Sequence, residues 1–313
     1  MLGFLGKKID KNALVSVCPG EDGITCARVR RERDTTPSLE LCTFLPVENT
    51  AVQGAEVARL VREHDLGRPQ CVSALDLGSY SLLLVEAPDV PPNELRAAIR
   101  WRVKDLIDFH IDDAVIDVFD IPNQRTTANR RMMYAVAVKA EWIKRVVGLL
   151  TDANLRLEVI DIPELAIRNI AALMPEDVAG VAILHLGRQR GLITITRQAT
   201  LYLSRRIETG YEALGGSLES AAPRLDRITV EIQRSMDYYE SNFSQPAIGS
   251  LVLTPLPRAI PGVEKHLAEQ LGIAVKTMDI NQLIDVEKPI PAAVQSACIT
   301  AIGSALRLES KEL

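Results

Sequence analysis

The sequence predicts an α/β protein in which one unit, three strands followed by a helix and a fourth strand, occurs twice. Short apolar segments separated by turn residues recur as triplets, once near residue 12 and again near residue 180. Each triplet is followed by a segment whose apolar residues have helical spacing, and then by another apolar strand. A third segment, residues 81–157, separates the two units. The chain is therefore expected to contain two related halves and one insertion.

The first unit consists of five predicted elements. Its first three apolar runs are bounded by turn residues, which is typical of strands joined by tight turns. In the helix that follows, apolar residues partly follow the helical repeat, and Thr50 is placed to cap the N-terminus. The predicted elements are strands 12–17, 23–29 and 39–44, helix 51–64 and strand 70–75.

The second unit repeats this order and continues beyond it. An apolar stripe with steps of three or four residues defines its main helix, and the stripe contains Leu225, Ile228, Ile232, Met236, Tyr239 and Phe243. The last helix carries small residues on its apolar face, which indicates close packing against a neighbour. The predicted elements are strands 180–186, 191–196 and 199–205, helix 222–243, strand 248–253, helix 261–272, strand 273–278 and helix 291–306.

The segment between the two units has the length and pattern of a small α+β subdomain. Its predicted elements are strand 81–88, helix 91–107, strands 112–121 and 130–140, helix 140–150 and strand 155–162. Two such units with parallel continuation are the layout of the actin-like, ribonuclease-H-like α/β fold, a duplicated βββαβαβ arrangement. The predicted domains are a first actin-like subdomain, 1–80 and 158–178, an inserted α+β subdomain, 81–157, and a second actin-like half, 179–313.

Composition excludes several classes of function. The net charge is −5, from 36 basic and 41 acidic residues, and no long basic stripe is present, which argues against nucleic acid as a partner. Five cysteines without a CxxC spacing indicate buried thiols in a reducing cytoplasm. No apolar run has the length of a membrane span, and residues 1–11 lack the pattern of a signal peptide. Apolar residues followed by two lysines in 1–11 leave open a peripheral membrane contact or a frayed terminus.

The sequence predicts neither catalytic nor metal-binding residues. Ser235 and Ser241 have no histidine and aspartate at the spacing of a hydrolase triad. The acidic segment 105–113 contains residue types that bind metals, but its position between a helix and a strand favours a connecting loop.

Four stretches, residues 94–113, 157–173, 231–242 and 301–307, resemble the PilM family of type IV pilus assembly proteins, and within it the MshI-like branch of the mannose-sensitive haemagglutinin pilus. The resemblance spans nearly the whole chain, and 231–239, EIQRSMDYY, is its most specific part. It implies an actin-like fold of the FtsA and PilM type. It also implies a cytoplasmic protein at the inner membrane that captures the N-terminal cytoplasmic tail of a bitopic PilN-like partner.

PilM-type proteins bind ATP between their halves through three turns, and the resemblance implies that this chain has lost key groups of that site. In the first turn, the family's Asp-Ile-Gly falls on Ser16, Val17 and Cys18, so the carboxylate that organises Mg²⁺ is absent. Pro19 follows and removes an N–H donor. In the third turn, Thr-Pro-Leu at 254–256 replaces Ser-Gly-Gly, and its side chains would fill space that adenine needs.

The second turn departs from the family pattern as well. His185 takes the place of the aspartate, and Arg188, Gln189 and Arg190 replace small hydroxyl residues, although Gly187 is kept. Gly187, Arg188 and Arg190 are therefore the candidate cofactor-binding residues of a degenerate phosphate turn. The two guanidiniums could hold an anion without a metal. The alternatives are solvated turn residues, or salt bridges that hold the two halves together. The loss of all three motifs predicts that no cofactor is bound.

These observations predict a non-enzymatic adaptor of a type IV pilus complex, located at the cytoplasmic face of the inner membrane. Its partners would be a PilN-like tail and other pilus assembly proteins. The tail is expected between the inserted subdomain and the first half, with Pro88, Leu95, Ile99, Trp101 and Val118 as candidate contacts. The alternatives are an ATP-binding switch or slow ATPase of the same complex, and an actin-like protein that assembles with itself.

Overall fold

The computed structural model describes residues 10–32, 35–47, 49–121, 124 and 131–308, so the N-terminal residues considered for membrane contact lie mostly outside it. Internal contacts divide the chain into two units. The first comprises Met1–Leu75, Val146–Ile170 and Asp279–Leu313, and the second comprises Asp76–Arg145 and Ala171–Met278. Within the described ranges, no helix is both long and apolar enough to cross a membrane.

Fourteen strands and nine α-helices are defined in these ranges. The strands are β1 (Asp10–Pro19), β2 (Gly23–Arg30), β3 (Ser38–Pro46), β4 (Pro69–Ala74), β5 (Tyr80–Glu86), β6 (Ala114–Asp120), β7 (Met132–Lys139), β8 (Arg156–Asp161), β9 (Val181–Leu186), β10 (Gly191–Arg197), β11 (Thr200–Ile207), β12 (Ser250–Leu253), β13 (Ala274–Thr277) and β14 (Asp285–Val286). The helices are α1 (Gln53–Glu63), α2 (Pro92–Val103), α3 (Ala140–Asp152), α4 (Pro163–Ala171), α5 (Glu176–Ala179), α6 (Leu218–Phe243), α7 (Val263–Leu271), α8 (Ile280–Leu283) and α9 (Ala292–Ala305).

The first unit is built on a six-stranded sheet in the order β14-β3-β2-β1-β4-β8. The strands β1, β2 and β3 form an antiparallel meander, and β4 and β8 continue in parallel with β1. Helices α1 and α3 bury Val57, Leu60 and Leu150 against Val15 and Val17 of β1. Helix α9 packs on β1 to β4 without joining this cluster, and it therefore covers the other face of the sheet.

The close packing predicted for the last helix is confirmed within the first unit. A Cβ atom at Gly303 of α9 would overlap the backbone of Ala166 in α4, so the two helices approach at a residue without a side chain. The buried amide of Asn169 donates to the carbonyl oxygen of Gly303 at 2.9 Å. The small residues of α9 are thus explained by helix–helix contact.

The second unit contains a five-stranded sheet in the order β11-β10-β9-β12-β13, covered by α6 and α7. The apolar stripe of α6 is buried as predicted, with Leu225, Ile232 and Tyr239 fully enclosed. The helix begins at Leu218, earlier than the predicted residue 222, because Ser217 and Ser220 form a reciprocal capping box before Pro223.

A three-stranded sheet in the order β5-β7-β6 also belongs to the second unit. Helix α2 covers one face and buries Ile99 and Val103 against the sheet. The other side of this sheet meets β11, where the backbone N–H of Ser204 donates to the hydroxyl of Tyr134 at 3.1 Å.

The start of α1 differs from the prediction, and the cap at Thr50 is wrong. Asn49 is the capping residue, because its side chain accepts the N–H of Ala51 at 2.9 Å and starts a short 3-10 turn that leads into α1. The contact-based units divide the chain at other points than the predicted subdomains and place α9 in the first unit. Units defined by internal contacts need not coincide with subdomains defined by an insertion in the sequence. The predicted subdomain boundaries therefore stay a prediction.

Candidate functional site

The second predicted phosphate turn is the hairpin between β9 and β10. His185 lies in the last part of β9 and is buried, and its Nδ1 is 3.0 Å from the hydroxyl oxygen of Thr254. Burial lowers the pKa of His185 to about 4, so the imidazole is neutral at pH 7. Thr254 is itself buried just after β12, and its N–H donates to Leu184 at 3.0 Å. The residues that replace the expected motifs of the second and third turns therefore bond to each other.

The backbone of the same hairpin is occupied by the segment that follows β11. The carbonyl oxygen of Gly187 accepts the N–H of Tyr211 at 2.9 Å, and that of Arg188 accepts the N–H of Glu212 at 3.2 Å. A Cβ atom on Gly210 would overlap the Arg188 carbonyl group, so this close approach requires glycine. Packing within the protein therefore explains why Gly187 and Gly210 are glycines, without a bound phosphate.

The two arginines of the hairpin have carboxylate neighbours. Arg188 Nε donates to Glu212 at 2.6 Å, and Arg190 Nε donates to Glu208 at 3.2 Å. Both pairs lie within the second unit, and three of their side chains are about half exposed while that of Glu208 is 80% exposed, which limits each pair to roughly 0–1 kcal/mol. The role of Arg188 and Arg190 in anion binding stays a prediction.

The loop before β5 also contacts this hairpin. The guanidinium of Arg190 lies against Gly78 so closely that a Cβ atom at Gly78 would overlap it. Leu77 lies beside Gly187, at 3.6 Å from the position that a Cβ atom on that glycine would take. The segment before β5 and the segment after β11 therefore both contact the hairpin surface on which a phosphate would bind.

The first turn, between β1 and β2 in the first unit, is also engaged by its own surroundings. Ser16 is buried, and its hydroxyl group is 3.3 Å from the sulfur of Cys18. Pro19 is the last residue of β1. The buried amide of Gln53 donates to the carbonyl oxygen of Gly20 at 2.6 Å, which ties the turn to the start of α1. The carboxylate that would organise Mg²⁺ is replaced by a hydroxyl group inside the sheet.

Apolar side chains lie in the third turn. Pro255 is buried, and Leu256 is partly buried against the core of the second unit. Leu256 thus contributes to the core instead of leaving an open surface.

No metal site is found in the described part of the chain, where no three histidine, cysteine, aspartate or glutamate side chains cluster suitably. The five cysteines are free, and burial raises the pKa of Cys26 and Cys71, which makes their reactive thiolate forms scarce. The acidic segment is a connection from α2 to β6, as predicted, in which His110 Nδ1 accepts the N–H of Asp112 at 3.3 Å.

The five candidate partner contacts do not share one surface. Ile99 and Val118 are buried between α2 and the three-stranded sheet, with 0% and 6% exposure. Pro88 and Leu95 are partly buried. Trp101 is 77% exposed and lies under the ammonium group of Lys104, 5.8 Å from the ring centre. Of the five, Trp101 offers the largest accessible apolar surface.

Comparison with known structures identifies the fold. A protein from Bacteroides thetaiotaomicron with an actin-like ATPase fold matches with a TM-score of 0.53 and 10% identity, over 91% of this chain and 96% of that chain. The described architecture is therefore the actin-like ATPase fold, as predicted. No protein-family model and no curated protein sequence matches the chain.

Two further structures come from cell-envelope assemblies. The structure of the PilM–PilN type IV pilus biogenesis complex matches with a TM-score of 0.72 and 18% identity, over 94% of this chain and 97% of that chain. The cytoplasmic domain of EpsL, an inner-membrane component of the type II secretion system of Vibrio cholerae, matches with a TM-score of 0.50 and 11% identity, over 92% and 94%.

Proposed function

We propose that this chain is a non-enzymatic adaptor of a type IV pilus assembly complex, working at the cytoplasmic face of the inner membrane. The observation that carries the proposal is the similarity to the PilM–PilN complex over nearly the full length of both chains. The similarity to the EpsL cytoplasmic domain is consistent with such a place at the inner membrane. The four resembling stretches favour the MshI-like branch and a mannose-sensitive haemagglutinin type of pilus.

The interior of the turns supports an adaptor without nucleotide. The neutral imidazole of His185 cannot replace a carboxylate toward Mg²⁺, which prefers oxygen ligands. The hydrogen bond to Thr254 and the apolar side chain of Leu256 occupy the positions that should remain open. Each lost phosphate contact costs on the order of 1–3 kcal/mol, and three losses would remove micromolar affinity.

The partner is the N-terminal cytoplasmic tail of a PilN-like bitopic protein. The inserted subdomain offers Trp101 as an exposed aromatic anchor, with Leu95 and Pro88 partly exposed. Large aromatic side chains of this kind dominate the binding energy of many interfaces. The described residues of 87–101 and 117–137 form the proposed region of contact.

The test is titration of a fluorescently labelled tail peptide from the PilN-like protein of the same genome with the full chain. Saturable binding is expected, and Trp101→Ala should weaken it at least tenfold, about 1.4 kcal/mol. Val178→Ala is the matched control, because Val178 is also an exposed apolar residue, at 66%, but lies on α5. Absence of tail binding, or equal loss in both variants, contradicts the proposal.

The alternative, an ATP-binding switch or slow ATPase, is tested by thermal melting with and without Mg-ATP. A ligand that binds the folded chain raises its melting temperature by mass action. An increase of several degrees with Mg-ATP, lost in a double variant Arg188→Ala and Arg190→Ala, would establish the alternative. No change with Mg-ATP together with an increase on adding the tail supports the adaptor.

A further inference from the structure

The six-stranded sheet of the first unit ends in an unpaired strand. β8 forms parallel pairs with β4 and has no other strand beside it in the described part of the chain. An edge strand of this kind presents backbone N–H and C=O groups that can pair with another strand. β8 is therefore a potential docking edge.

The other sheet edges carry features that hinder such pairing, and on β5 the guanidinium of Arg206 donates to the carbonyl oxygen of Tyr80 at 2.6 Å. On β13, the N–H of Thr277 is bound by the Glu264 carboxylate at 2.7 Å. On β11, the N–H of Ser204 is bound by Tyr134, and on β6 the N–H of Val118 is bound by the Asp117 side chain at 2.9 Å. The edge strand β14 has two residues. Side chains that bind backbone groups, or the short length of the strand, therefore hinder pairing at these edges. Natural sheets commonly use such features to avoid unwanted pairing.

An open groove runs beside β8. It has a volume of about 490 Å³ and is lined by Val147 and Thr151 of α3 and by residues 155–160. Val147 is 40% exposed, and Leu157, Val159 and Ile160 are only partly buried. Burying these apolar groups against an added strand is favourable at about 25 cal/mol per Å².

The charges on β8 indicate which strand would fit. Arg156 and Glu158 flank Leu157, and their side chains are 44% and 45% exposed; their charged groups form a long ion pair within the strand, at 3.8 Å, which cross-strand pairing would replace. In an antiparallel pair with a two-fold axis at Leu157, Arg156 of each copy lies opposite Glu158 of the other. Both cross-strand ion pairs then form together, whereas a parallel pair in register would place like charges beside each other.

The local register sets Glu158 apart from the ladder with β4. The ladder between β4 and β8 shifts so that Cys71 aligns with Leu157 and Val72 with Val159. Glu158 is the extra residue of this bulge and has no Cα partner on β4. We propose that β8 pairs antiparallel with β8 of a second copy of this chain, which joins two six-stranded sheets into one.

The expected dimer is weak. One pair of short edge strands and a shallow groove cover less than the roughly 1,600 Å² of a standard stable interface. We expect a dissociation constant on the order of 10–100 µM and association that weakens with salt. Sedimentation velocity of the full chain between about 5 and 200 µM measures it.

Charge exchange provides the decisive variants. Arg156→Glu and Glu158→Arg should each be monomeric, because each places like charges opposite each other. An equimolar mixture of the two variants should form a heterodimer, and the double variant should recover the wild-type dimer. Arg59→Glu, on the exposed side of α1 where Arg59 pairs with Glu56, is the matched control and should dimerise like the wild type.

Circular dichroism confirms that each variant is folded. A wild-type chain that remains monomeric at about 200 µM overturns the proposal. So does dimerisation of either single variant with wild-type affinity, or failure of the mixture to associate. A monomeric wild type whose binding of the PilN-like tail is lost in Leu157→Lys would assign the edge to that partner, and it would leave the proposed function standing.

Discussion

At the scale of single residues, the pair formed by His185 and Thr254 determines the chemistry of two turns. A buried neutral imidazole bonded to a buried hydroxyl group satisfies both polar groups without solvent. The same arrangement leaves no carboxylate for a metal in this hairpin. The residues at these two positions thus form a structural contact of their own.

His185 should make stability depend on pH. Its pKa is about 4 in the folded chain and 6.5 in the unfolded chain, so the unfolded chain binds the proton first as pH falls. The stabilising contribution is complete above pH 6.5 and is lost between pH 6.5 and about 4, by at most roughly 1.4 kcal/mol per pH unit. Urea unfolding at pH 7.5 and 5.0 measures the loss.

The His185→Gln variant should show a smaller stability difference between these two pH values than the wild type. His110→Gln, at an exposed position, is the control and should keep the wild-type difference. An unchanged pH dependence in His185→Gln would contradict the assignment of a neutral buried imidazole.

Gly210→Ala tests the closure of the hairpin. The added Cβ atom would overlap the backbone of Arg188, so the segment must move, and we expect a loss of about 2–4 kcal/mol of unfolding free energy. Gly148→Ala, in α3 where no atom lies within 4 Å, should be neutral or slightly stabilising. Equal stability of the two variants in chemical denaturation would refute close packing at Gly210.

Residue patterns predicted some of these contacts and missed others. The replaced motif residues were visible in the sequence because each falls at a defined place near the end of a strand. The partners Glu208 and Glu212 were not, because they follow another strand and show no periodic signal that links them to Arg190 and Arg188. Asn49 was missed as a cap because Thr50, beside it, is also a good capping residue.

At the scale of secondary-structure elements, apolar spacing was a reliable guide. The stripe of α6 and the small residues of α9 correspond to buried faces in the structure. The start of α6 was missed because the prediction followed the apolar stripe, which begins at Leu225, whereas the cap lies at Ser217. Spacing identifies which face is buried, but the end of a helix depends on local polar contacts.

The end of α9 is held by a buried ion pair. Arg307 Nη1 lies 2.8 Å from the carboxylate of Asp161 at the end of β8, and their side chains are 8% and 2% exposed. Arg307→Met should therefore destabilise the chain by about 3–5 kcal/mol, because Asp161 would remain buried without its cation.

A double variant separates the effect of the unpaired charge from the effect of the lost packing. Arg307→Met combined with Asp161→Asn should recover part of the loss, because no buried charge is then left unpaired. Denaturant unfolding of both variants and the wild type gives the comparison. A loss below about 1 kcal/mol in Arg307→Met would show that the pair is solvated.

At the scale of the whole molecule, the fold could be predicted because it depends on the order and apolar pattern of its elements. The similarity to the PilM–PilN complex persists at 18% identity, which shows how little of the fold requires particular residues. The surface could not be predicted in the same way. The open edge at β8 and the exposure of Trp101 follow from which elements lie beside each other.

The central claim is that the protein's own side chains and backbone occupy the three turns at which the resemblance implies a lost nucleotide site. Calorimetric titration of the full chain with Mg-ATP, up to about 1 mM, tests it most directly. We predict no saturable heat. A saturable isotherm with a dissociation constant below about 100 µM, abolished when Arg188 and Arg190 are both replaced by alanine, would contradict the claim.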